Sequence, residues 1–172
     1  MHIYMTERFQ KITTLVFDVD GVFTDATLTV TRDDVTRTFN VRDGYAVQMA
    51  LKSGYRIAVI SGGKQESITA RMNALGITDV YIRVGTAEKP DVFSRYLAEK
   101  NISAEEVLFI GDDIPDLLIM NAFPVLACCP ADAVEEVKER ADYVTSATGG
   151  RGAVREITEQ VMKAQGTWMK KF

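Results

Sequence analysis

The chain has 172 residues, a formal charge of −4, and a composition that is 47% apolar and 26% charged. That size and balance suit one domain, 1–172, with a substantial core, and they exclude general disorder. Basic residues are scattered rather than striped, the first residues lack the layout of a secretory signal, and no stretch approaches the roughly 20 apolar residues of a membrane span. Nucleic acid and membrane are therefore not expected as partners, and the cytoplasm is the expected location.

The first element is an apolar strand, Leu15-Val16-Phe17, that runs into Asp18-Val19-Asp20-Gly21. The segments 26–30 and 36–41 are Thr-rich and β-branched with a polar turn between them, the pattern of a β-hairpin flap over about 26–41. Asp43 is placed to cap a helix reaching Lys52 and ended by Gly54, and Arg56–Ile60 reads as a buried strand. A helix over 65–75, a strand over 80–82 and a helix from Pro90 to Lys100 follow. Ser103-Ala104-Glu105-Glu106 has capping-box spacing ahead of the strand 107–110. A short helix over 115–121, a strand over 125–127, a helix over 133–140, a short strand at 143–144 and a helix over 153–165 complete the chain.

Strands alternating with helices predict an α/β fold with a mainly parallel, doubly wound sheet. Ligands in such folds bind beyond the carboxyl ends of the strands. The cysteines, Cys128 and Cys129, are adjacent within the 125–130 segment, and the single histidine is His2, so a structural role is expected for them rather than a disulfide or metal site.

The strongest polar signals fall where that rule places a site. Asp18 and Asp20 follow the first strand, Ser61-Gly62-Gly63 follows Ile60, Lys89 precedes a helix, and Gly111-Asp112-Asp113 with Asp116 follows Ile110. Each has a plain reading as a turn, a cap or a surface lysine. Together they form what phosphoryl transfer through an aspartyl phosphate needs: a carboxylate nucleophile (Asp18), an acid/base (Asp20), a metal site (Asp18, Asp20, Asp112) and donors to the phosphoryl oxygens (Ser61, Lys89). A hard cation such as Mg2+ suits the carboxylates, with Asp113 and Asp116 as weaker or indirect ligands. A receiver-type phosphoacceptor module joins similar residues in another order, and a sugar phosphomutase shares the aspartyl phosphate.

On Asp18-Val19-Asp20-Gly21-Val22, Ser61, Lys89 and Gly111-Asp112-Asp113 with Asp116, the chain resembles the haloacid dehalogenase superfamily. The intervals between these motifs are too short for a cap domain. The segments 39–45, 141–144 and 149–156 narrow the resemblance to the cap-less 3-deoxy-D-manno-octulosonate 8-phosphate phosphatase family. That resemblance implies a magnesium-dependent hydrolase of a sugar acid phosphate in lipopolysaccharide precursor synthesis. It also implies a homotetramer in which the hairpins form a barrel and neighbouring subunits help enclose each site.

On the same basis Asn40, Arg42, Asp43, Gly44, Gly63, Arg71 and Lys89 become substrate contacts, beside Asp20. Arg71 is apt for a carboxylate, and Arg151, in a glycine-rich loop, is placed for the same anion or the phosphate. Relatives acting on nine-carbon keto sugar acid phosphates are expected to carry Glu at the position of Gly63 and Lys at that of Ala74. Their absence favours the eight-carbon substrate, with the nine-carbon class as the alternative. Pro115 departs from the superfamily pattern, which often has Asn there.

Overall fold

A computed structural model describes residues 2–171. In chain order the elements are α1 (His2–Lys11), β1 (Thr14–Phe17), β2 (Thr29–Val30), β3 (Val35–Thr36), α2 (Val41–Lys52), β4 (Arg56–Ile60), α3 (Glu66–Leu75), β5 (Asp79–Tyr81), α4 (Lys89–Lys100), β6 (Val107–Ile110), α5 (Ile114–Ala122), β7 (Leu126–Cys129), α6 (Glu135–Arg140), β8 (Tyr143–Val144) and α7 (Ala153–Ala164). One sheet of order β5-β4-β1-β6-β7-β8 is parallel throughout, and β2 and β3 form a separate antiparallel pair.

The doubly wound expectation holds because the strands are apolar on both faces. Leu15 and Phe17 of β1 pack with Phe9, Val47, Ile68, Met72, Ile157 and Val161, from α1, α2, α3 and α7. Val16 between them points the other way, into a core with Phe93 and Tyr96 of α4, Ile119 and Met120 of α5 and Val137 of α6. Period-two alternation thus feeds two cores, each stabilised by about 1.5–3 kcal/mol per large side chain buried.

Register aligns the site. Phe17 is level with Val59 and Ile110, and the Asp18 amide donates to the Ile110 carbonyl at 3.0 Å. The sheet reverses its winding at β1, so the turns after β1, β4 and β6 meet at the switch point that α/β sheets use for ligands.

Several boundaries differ from the sequence reading. Helix α1 was not anticipated; it is tied to the rest of the chain by Phe9, which is buried in the core. The hairpin strands are two residues each, because 26–28 and 37–40 have no strand partners. Helix α2 starts two residues before Asp43: Asn40 is extended (φ −82°, ψ 125°) and its side chain accepts from the Arg42 amide, so the cap is Asn40. The capping-box spacing at 103–106 makes only a 3-10 turn, in which Ser103 forms no side-chain cap bond. Strand β7 runs on to Cys129, since β8 pairs with Cys128 and Cys129, both buried and unbridged.

Candidate active site

The turns after β1, β4 and β6 and the start of α4 line a cavity of about 190 Å³ whose walls include Asp18, Asp20, Ser61, Gly63, Lys89, Asp112 and Asp116. Lys89 opens α4, with Pro90 behind it in the first turn, and its ammonium is driven inward. It donates to Asp18 Oδ1 at 2.9 Å and to Asp116 Oδ1 at 2.7 Å, all three side chains being under 10% exposed. Asp116 stands on the first turn of α5, where its other oxygen accepts from the amides of Asp112 (3.1 Å) and Asp113 (3.4 Å). Asp113 caps that helix through the Ile114 amide. Both oxygens of Asp116 are thereby engaged, and its task is to fix Lys89 and the 112–113 backbone.

The electrostatics are unbalanced. Carboxylate oxygens of Asp18, Asp112 and Asp116 lie within 4.8 Å of one another around a single ammonium. Burial, with the Asp116 charge adding to it, pushes the Asp18 carboxyl up to about 7 against the pull of Lys89. Burial and the neighbouring Asp18 and Asp116 push Asp112 up to about 8. Burial works against the Lys89 ammonium, but the carboxylates of Asp18 and Asp116 outweigh it and keep the group firmly protonated. Such a set of hard oxygen donors with surplus negative charge fits a divalent cation held by Asp18 and Asp112. Asp20, the third expected metal ligand, lines the same cavity but lies outside this cluster, and both of its carboxylate oxygens accept from Arg37.

Two glycines shape the turns. Gly21 has φ +88°, and a Cβ there would collide with the Asp112 carboxylate. Gly149 is packed so closely on the Gly21 carbonyl that it too admits no side chain, and the Gly150 amide donates to the Val22 carbonyl at 3.0 Å. Ser61, 1% exposed, accepts from the Gly63 amide at 3.1 Å, which sets the turn that leads to α3.

The expected substrate contacts divide into groups. Gly63 lies in the catalytic cavity. Asn40, Arg42 and Arg151 line a separate cavity of about 500 Å³ together with Arg155, and the Asn40 amide donates to the Gly150 carbonyl at 3.3 Å. Asp43 is fully buried and accepts from the Arg155 amide at 2.8 Å. Gly44 lies under Arg71 and Leu75, and Arg71 stands over the Phe39 ring with its Nε buried and unpartnered. Asn40, Arg42, Asp43, Gly44, Arg71 and Arg151 therefore do not line the catalytic cavity of this chain, whereas Gly63 does.

One residue that touches the catalytic set was missed. Arg37, just past β3, donates from Nε to Asp20 Oδ1 at 2.6 Å and from Nη2 to Asp20 Oδ2 at 2.9 Å, while Nη1 donates to Gln65 Oε1 at 2.8 Å. The only signal was parity, since Arg37 shares a side of an extended segment with Phe39, which packs on the core.

A parallel sheet with an aspartate pair at its switch point, an inward lysine and a further acidic turn, and no cap between the motifs, defines a haloacid dehalogenase-like hydrolase. The model of that family matches residues 40–123. The 3-deoxy-D-manno-octulosonate 8-phosphate phosphatase of Escherichia coli K12 is 39% identical over 160 residues, covering 92% of this chain and 84% of that protein. The crystal structure of the Yersinia pestis enzyme of that name superposes with a TM-score of 0.91 at 34% identity, covering 96% of this chain and 89% of that one. That of the Moraxella catarrhalis enzyme, in complex with magnesium ion, phosphate ion and KDO molecule, superposes with a TM-score of 0.92 at 27% identity, covering 98% and 95%. The chain belongs to the 3-deoxy-D-manno-octulosonate 8-phosphate phosphatase family of phosphoric monoester hydrolases.

Proposed function

We propose that this protein hydrolyses 3-deoxy-D-manno-octulosonate 8-phosphate to the free sugar acid and phosphate through a phosphorylated Asp18. The buried Asp18–Lys89 contact at 2.9 Å carries the chemistry, because it fixes the position of one carboxylate at the wall of the cavity. An Asp18 oxygen attacks phosphorus as the bond to the sugar oxygen breaks, and Asp20 gives that oxygen its proton. Water then attacks the phosphoryl group, the bond to Asp18 breaks, Asp20 takes the water proton, and inorganic phosphate leaves. Lys89, the Ser61 hydroxyl and the amides of the 61–63 turn hold the phosphoryl oxygens. Asp18 and Asp112 would hold a magnesium ion, which when bound would supply positive charge against those oxygens.

The eight-carbon substrate is supported by the 39% identity to the Escherichia coli enzyme and by the resemblance of the Moraxella catarrhalis complex. We place the reaction in the cytoplasm, in lipopolysaccharide precursor synthesis, and the chain, one domain with a hairpin flap, in a homotetramer whose hairpins pair. The exposed Leu28 and Val30 on the hairpin and Val41 and Tyr45 on α2 support that assembly. So does the placement of Arg42, Asn40 and Arg151 in a cavity apart from the catalytic cavity of their own chain, where a neighbour's site could meet them. Among the described residues no helix is long and apolar enough to cross a membrane.

The test is phosphate release from eight- and nine-carbon keto sugar acid phosphates with magnesium. Preference for the eight-carbon compound is expected, and preference for the nine-carbon one overturns the substrate assignment.

A further inference from the structure

We infer that Arg37 is a positioning residue for Asp20 and that it serves the second half of the reaction, in which water hydrolyses the phosphorylated Asp18. The inference rests on the mechanism proposed above. Its ground is the geometry of the fork: Nε and Nη2 engage both Asp20 oxygens side by side while Nη1 is tied back to Gln65. A guanidinium docked in this bidentate way fixes the plane of a carboxylate as well as its distance.

The pair is asymmetric in its surroundings. The Arg37 side chain is 3% exposed whereas that of Asp20 is 32% exposed and lines the catalytic cavity. Each carboxylate oxygen has a second acceptor direction, so Asp20 keeps acceptor capacity toward the place where water meets the phosphoryl group. Holding the carboxylate form still is what proton acceptance from water requires, and it does nothing for the half-reaction in which Asp20 must donate.

The neighbourhood is shaped to hold the fork. A Cβ on Gly63 would lie 3.2 Å from Nη2 and would collide with the Ile68 side chain, so the absence of a side chain at 63 leaves the guanidinium its berth. Gln65 is the extended residue that caps α3 and makes no cap bond with its side chain, which is spent on Arg37 instead. The hairpin, whose own strands are two residues long, thus reaches the chemistry through one side chain.

The two half-reactions separate by rapid quench with p-nitrophenyl phosphate, whose leaving group needs no proton. In Arg37→Gln, first-turnover release of p-nitrophenolate is expected within about 3-fold of the unaltered protein, while steady-state turnover falls about 30-fold, a fraction of a full acid/base contribution. The protein then accumulates one phosphoryl group on Asp18, seen by intact mass. Arg37→Lys, which keeps the charge without the fork, recovers part of the steady-state rate. Gln65→Leu, which removes the rear anchor along with a longer bond from the Lys64 amide, shows the same split at about 3-fold in the steady state, and carries the test if Arg37→Gln does not fold.

Equal falls in both phases, or no change in either, overturn the role given to Arg37. Normal turnover by Asp18→Asn, with no phosphorylated protein in any variant, would instead sink the mechanism beneath it.

Discussion

The carboxyl end of β1 and the β2–β3 hairpin are adjacent in sequence and opposite in construction. Asp18 is held by a main-chain bond across the sheet, by Lys89 and by the packing of Phe17, and it is 6% exposed. The hairpin has a single pair of two-residue strands and exposes Val30 at 68%. Phosphoryl chemistry, which needs atoms fixed to fractions of an ångström, sits on the part whose position is set many times over. The hairpin is the part that can change at little cost to folding, and the proposed assembly would put contact with other subunits there.

The sharpest way to test this contrast is Asp18→Asn. Turnover, measured as released phosphate, is expected to fall at least about a thousand-fold. The metal-free variant nonetheless unfolds at a higher temperature than the unaltered protein, because one of three crowded buried acids has lost its charge.

Lys89→Met tests the same end from the other side. It leaves Asp18 and Asp116 buried without their cation, and a loss of about 3–5 kcal/mol is expected in denaturant titration together with loss of turnover. A variant as stable as the parent would mean that the buried pair does not organise the site.

The next effect is in pH. Folded-state values near 7 for Asp18 and 8 for Asp112 lie above the ordinary 3.8, so the folded protein binds more protons than the unfolded chain between those limits. Stability of the metal-free protein is therefore highest at the acid end of that window and falls as pH rises from about 4 to 8. A drop in melting temperature of about 5 °C across it, largely cancelled by millimolar magnesium, is the expected result of a thermal scan. A flat profile with and without magnesium would remove the case for a cation between these residues.

The smallest effect belongs to the hairpin. Val30→Glu is expected to change monomer stability by no more than about 0.5 kcal/mol while shifting sedimentation toward smaller species. An unchanged oligomer would take the hairpin out of the assembly.

The contrast also explains what could be read from sequence. Strands separated by helices made the parallel, doubly wound sheet legible, and the acids were legible because each group follows an apolar strand at a polar break, as Asp18 follows Phe17, while Lys89 stands at the start of a helix. Side-chain direction was not legible. Asp43 has the composition of a cap, yet Asn40 takes that role and Asp43 turns to the Arg155 amide, 112 residues away in sequence. Arg37 stood in a Thr-rich run with no motif around it, and its partners Asp20 and Gln65 are brought to it only by the fold. Short strands were overextended because Thr and β-branched residues favour strand conformation whether or not a partner is present.

The packing of Gly149 against the Gly21 carbonyl has a consequence in time. During synthesis the nucleophile, the lysine and the acidic turn have all been made once the chain has reached Asp116, the last of them. The turn after β1 is then still without the loop that backs it, for Gly149 and Gly150 close on Gly21 and Val22 from the far end of the chain. Hydrolysis on a nascent chain is accordingly expected to begin only after the 149–150 loop has closed, so a late segment that carries none of the reacting groups sets the moment at which the enzyme becomes active.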